Sequence, residues 1–162
     1  MHLPHPIDID LLVFCKSGRF DFVKLGQTKA WILGNFLDPD DFTPDMLSPR
    51  WPIWTYDRLE FHFDADNRLT AIYTDYLAEL PHNTRLQVKP WIFAHVEQLT
   101  LLYVLRELNA EGIDYEKQTG PLGVGLRLRS GLRLSFTPPD ELAAEMAEGP
   151  NAFRLMSLCL CE

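Results

Sequence analysis

Glu60, His62 and Asp64 stand two residues apart in the run Leu59-Glu60-Phe61-His62-Phe63-Asp64. A strand has a period of two, so the three ionisable side chains share one face and Leu59, Phe61 and Phe63 take the other. A carboxylate–imidazole–carboxylate row can hold a divalent metal or relay a proton. Neighbours on one strand face are ~6.5 Å apart, however, which is poor spacing for a single ion and favours a solvated sheet face. Gly120 to Gly125 (GPLGVG) carries three glycines but no Lys-Ser or Lys-Thr, and reads as a turn entering a strand rather than a phosphate loop. There is no HExxH, nucleophile elbow or paired cysteine motif. Cys159 and Cys161 fall on one face of a C-terminal strand and could form half a zinc site, but no second pair completes it, so they read as buried apolar thiols. No catalytic residue, metal or cofactor is expected.

The acidic row belongs to the stretch Ile53 to Asp75, which has the pattern of two or three successive antiparallel strands with one wet face. Ala65-Asp66-Asn67-Arg68 supplies its turn. Upstream, Ile7 to Phe14 is compatible with a first helix turn or an edge strand, and Gln27 to Phe36 reads as a short helix. Asp38 to Pro52 holds four prolines and four aspartates, a composition for a long surface loop. Phe42, Met46, Leu47 and Trp51 within it either anchor a partner or pin the loop to the core.

Downstream, Leu77 to Pro90 is a connector with room for a short strand at Arg85 to Val88. His95 to Ala110 has the strongest helical pattern, with Leu101, Val104, Leu105 and Leu108 on one stripe and Gly112 as its stop. A strand at Ile113 to Lys117 and a hairpin of Val124 to Arg129 with Leu132 to Phe136 follow. A helix at Glu141 to Ala147 and a strand at Ala152 to Cys161 complete the pattern.

These elements predict a single α+β domain over residues 1–162, an antiparallel sheet with helices on one face. The order of elements repeats, giving two tandem α-β-β-β units at 20–80 and 91–137, with a C-terminal helix and strand in 138–162. Two small sheets meeting near Pro81 to Pro90 are the alternative.

The formal charge is −8, from 15 Lys and Arg against 23 Asp and Glu. That balance argues against sequence-independent binding to nucleic acid or to anionic membrane, both of which reward cations, and favours a basic partner or plain solubility. Residues 1–80 carry 13 acids and 7 bases, whereas 81–162 carry 10 and 8, so the acidity is frontal. A partner surface is therefore expected around Asp38, Asp40, Asp41, Asp45, Glu60, His62 and Asp64, with the arginines of the later hairpin elsewhere. The N-terminal residues lack the pattern of a secretory signal, no apolar run approaches the ~20 residues that span a bilayer, and three cysteines without framework spacing fit a reducing compartment.

The run from Leu25-Gly26-Gln27-Thr28 through Pro39-Asp40-Asp41 to Ile53-Trp54-Thr55-Tyr56-Asp57, then LEFHFD and Leu69 to Asp75, resembles small acidic bacterial immunity proteins of polymorphic toxin and contact-dependent growth inhibition systems. In outline the helix-plus-sheet units are also similar to those of the β-lactamase-inhibitor protein. The resemblance covers about residues 24–76 well and the LRSGLRLSF stretch more loosely. It implies a cytoplasmic inhibitor with no catalysis of its own that occludes the active site of a cognate toxin, often a basic nuclease. A small-ligand or metal site on the Glu60, His62 and Asp64 face is the competing reading, and a structural subunit pairing through its C-terminal strand is a third.

Overall fold

Asp10 ends one element and begins the next. Its backbone closes β1 (Ile7–Asp10), and its Oδ1 accepts from the backbone N–H groups of Leu12 at 2.9 Å and Val13 at 3.3 Å, capping α1 (Leu11–Ser17). The ambiguous Ile7 to Phe14 segment is thus a strand followed by a helix. The computed structural model describes residues 6–43, 53–80, 83, 85–139 and 149–161.

Along the chain follow α2 (Lys29–Asn35), β2 (Asp41–Thr43), β3 (Ile53–Tyr56), β4 (Leu59–Phe63), β5 (Leu69–Thr74), β6 (Leu86–Lys89), α3 (Leu101–Ala110), β7 (Tyr115–Gly120), β8 (Gly123–Leu128), β9 (Leu132–Thr137) and β10 (Arg154–Cys161). Among the described residues, eight strands form one antiparallel sheet in the order β2-β3-β4-β5-β10-β9-β8-β7. β1 and β6 pair in parallel as a separate two-stranded sheet. The fold is α+β with a mostly antiparallel sheet, and its two halves join in one sheet at β5 and β10 rather than forming two sheets at the connector. Among the described residues the first half has four strands, one more than expected, because β2 pairs with β3, and the expected C-terminal strand, β10, returns beside β9 to give the second half four as well.

Directly opposed residues of antiparallel strands share a face. One such row, Trp54, Phe61, Ile72, Leu160 and Leu132, runs through five strands, and every member is buried. Leu11, Phe14, Ile32, Leu101, Val104 and Leu108 of the helices join the same core, so the helices cover that face. Phe61 sits at its centre, 4.6 Å from the Tyr56 ring, 5.8 Å from Phe20 and 6.0 Å from Phe36. Burying such a ring contributes about 2–3 kcal/mol.

Several boundaries differ from the sequence expectation for local reasons. The helix expected from His95 starts at Leu101, because Leu155 N–H donates to the Leu99 carbonyl and Leu101 N–H to the Phe153 carbonyl, tying residues 99–101 to the start of β10. Thr100 then caps α3 by accepting from Tyr103 N–H at 3.3 Å. The strand expected at Ile113 starts at Tyr115, since Gly112 is left-handed (φ +65°) and Ile113 N–H closes the helix end on the Leu108 carbonyl. The expected helix at 141–147, and Met46, Leu47 and Trp51 of the acidic loop, lie outside the described residues. Among the described residues no helix is long and apolar enough to cross a membrane.

Candidate binding face

The sheet has a second face, and its composition follows from the same register. Asp41, Thr55, Glu60, Tyr73, Cys159, Arg133, Arg127 and Glu116 are consecutive cross-strand partners through all eight strands. Each alternates with a residue of the core face on its own strand. A shorter parallel row holds His62, Ala71 and Cys161, and another holds Ser157, Ser135, Gly125 and Gln118. None of these residues is buried.

At the centre, His62 Nε2 donates to Glu60 Oε2 at 2.8 Å, with about a third of each side chain exposed (32% and 34%). The His62 ring meets the Tyr73 ring edge-on at 6.2 Å. Tyr73 is held above its ordinary pKa first by burial and then by the Asp75 carboxylate, with the nearby Ser157 side chain acting the other way. Burial, followed by contact with the Cys161 thiol, pushes Cys159 up to about 12. At neutral pH it is therefore a thiol, not a nucleophilic thiolate. The centre of the face is aromatic and sulfur-rich, with acids toward β2 and arginines toward β8.

Among the described residues, the acidic-surface candidates divide between the open face and the turns beside it. Glu60 and His62 meet in the central rows, and Asp41 stands at the end of the long row. Asp40 is spent on structure: Oδ1 accepts from Arg85 Nη1 at 2.9 Å and Oδ2 from Asp57 N–H at 2.7 Å, where Asp57 adopts φ +57° in the β3–β4 turn. The Asp38 carbonyl accepts from Arg85 as well. Asp64 Oδ1 accepts from the N–H groups of Asp66 and Arg68 at 2.9 and 2.8 Å and so shapes the β4–β5 turn. Asp45 lies outside the described residues. Among the described residues, no three His, Cys, Asp or Glu side chains are grouped to hold a metal ion.

Two expectations are corrected here. Arg127 and Arg133 are not elsewhere: the β5–β10 pairing places them on the same face as Glu60, in the same row. Cys159 and Cys161 are half-buried on this face, while only Cys15 is a core thiol. Tyr73, Ser157 and the arginines were missed as site residues. The alternation in Leu158-Cys159-Leu160-Cys161 signals an outward face for the cysteines, whereas strict alternation in Leu69–Thr74 groups Tyr73 with the buried Leu69 and the register shift opposite Phe63 sets that pattern aside; no local pattern says that the two outward faces are one.

At the β7–β8 end, Glu116 and Arg127 also line an open hollow of about 410 Å³ with Asp114, Tyr115, Leu128, Arg129 and Gly131. Comparison with family models, curated proteins and solved structures found no match for this chain.

Proposed function

We propose that this chain is a bacterial immunity protein that neutralises a cognate toxin by docking it on the open face of the eight-stranded sheet. The observation that carries the reading is the asymmetry of the sheet: one face is sealed by the helices and core, and the other presents Tyr73, Cys159 and Cys161 between acids and arginines. An apolar, aromatic centre with a charged surround is the anatomy of a protein-binding surface. The similarity of residues 24–76 to immunity proteins supports the toxin as partner, and the net charge of −8 supports a basic one with no direct binding to nucleic acid. Inhibition would take place in the cytoplasm of the toxin-producing cell.

The face also narrows the partner. Because arginines share it with Glu60, the matching toxin surface carries cationic groups over β4 and anionic groups over β8 and β9, rather than uniform positive charge. The test is capture of the partner from the native bacterial host on tagged protein, followed by two measurements on the captured species. Its expression should arrest growth unless this chain is co-expressed, and hydrogen exchange in the complex should fall in β4, β5, β9 and β10. A captured protein that is harmless, or protection confined to the helices, would refute the proposal.

A further inference from the structure

The charge pattern of the open face is complementary to itself. Glu60 on β4 and Arg133 on β9 are placed symmetrically about the β5–β10 junction, one strand out on either side, and belong to one cross-strand row. Now let a second copy be laid face down on the first. A two-fold axis in the interface, parallel to the strands and over the junction, sets β4 of each copy against β9 of the other. Glu60 then faces the Arg133 of its mate twice over, and Tyr73 faces Cys159. A two-fold axis across the strands instead sets each strand on itself, with Glu60 on Glu60 and Arg133 on Arg133. The charges select the first arrangement, which is an isologous and closed one.

We propose that, when no other partner is bound, two copies of this chain associate face to face through the open side of the sheet, related by a two-fold axis parallel to β5 and β10. Stacked sheets pack ~10 Å apart with their strands inclined by about 30°, an offset that long charged side chains near the axis span. That inclination displaces the outermost residues, Asp41 and Glu116, most, which separates the two like charges the row carries at its ends. Eight strands at ~4.8 Å spacing make a face ~34 Å wide. Its footprint is on the order of 1,000 Å² for the pair, at the lower bound of specific interfaces, so the dimer is weak and a tight partner displaces it.

The proposal uses the face assigned above to the toxin but does not depend on the toxin. Its test needs only the full chain, studied by sedimentation equilibrium at about 50 mM and 500 mM salt, with Glu60→Arg, Arg133→Glu and the double variant, each checked for an unchanged circular dichroism spectrum and melting temperature. The expected result is a concentration-dependent dimer with Kd in the micromolar range at low salt, weakened several-fold at high salt. Either single reversal turns two attractions into two repulsions and should weaken it at least tenfold, whereas the double variant regains the wild-type constant. A monomer at every concentration overturns the dimer and leaves the toxin reading standing. A dimer indifferent to both single reversals lies on another surface and also overturns it. Singles that weaken without rescue in the double variant overturn the two-fold pairing of Glu60 with Arg133.

Discussion

Glu60 and Arg133 lie in one cross-strand row on the open face of the sheet, separated by Tyr73 and Cys159. Three strand spacings put their Cα atoms ~14 Å apart, beyond the ~8 Å over which charges in physiological salt sense one another. In the proposed complex they would therefore act as two separate attachment points for the docking protein. Reversing either one should slow association with the captured partner several-fold at low salt, and the two effects should add, because the sites are independent. Stopped-flow or surface-based rate measurements across a salt series check this, with the difference from wild type shrinking as salt rises.

Asp40 and Asp41 are adjacent in sequence and do different work. Asp40 bonds Arg85 and the Asp57 N–H, so Asp40→Ala removes an acceptor from the β3–β4 turn and should lower stability by about 1 kcal/mol. It should leave partner affinity nearly unchanged. Asp41 begins the long row of the open face, so Asp41→Lys should weaken partner binding. Paired urea titrations and affinity measurements on the two variants separate the roles.

The strands and their faces were legible because local alternation writes them plainly: Leu59 to Phe63 and Leu132 to Phe136 fold as their patterns dictate. The start of α3 was overrun, because its limit is set by bonds from residues 99–101 to the β10 region. What could not be read was the join. β5 and β10 are more than eighty residues apart, and nothing in either strand names the other. That pairing alone decides that Arg133 shares a face with Glu60, so the acidic patch inferred from composition became a row with Arg133 and Arg127 between Glu60 and Glu116.

Stability should fall on the alkaline side, and Cys15 supplies a measurable part of the fall. Burial, followed by the Asp10 charge, pushes its thiol from 9.0 up to about 12 in the folded chain. The unfolded chain therefore ionises first. Stability from this group is fully present below pH 9 and is lost as pH rises from 9 toward 12, at about 1.4 kcal/mol per unit. Cys15→Ala should cost a fixed amount of packing at pH 7 yet show a shallower decline above pH 9. Urea midpoints for both proteins at pH 7, 9 and 10.5 make the comparison. Parallel declines would mean that Cys15 does not titrate between the two states.

Gly123 carries the tightest backbone approach of the hairpin that bears the arginines. Its φ of +150° lies where other residues are strained, and a Cβ there would stand 2.0 Å from the Phe136 carbonyl oxygen. That oxygen is backbone of β9, so no rotamer change relieves the clash; β8 and β9 must part at this end. Gly123→Ala should therefore destabilise the protein by about 2 kcal/mol or more and lower its melting temperature by several degrees. Val124 and Phe136, paired in register and both buried, would lose contact first, so hydrogen-exchange protection should drop there while β4 and β5 keep theirs. If the variant melts with the wild type, the close approach at Gly123 is not a constraint on the fold.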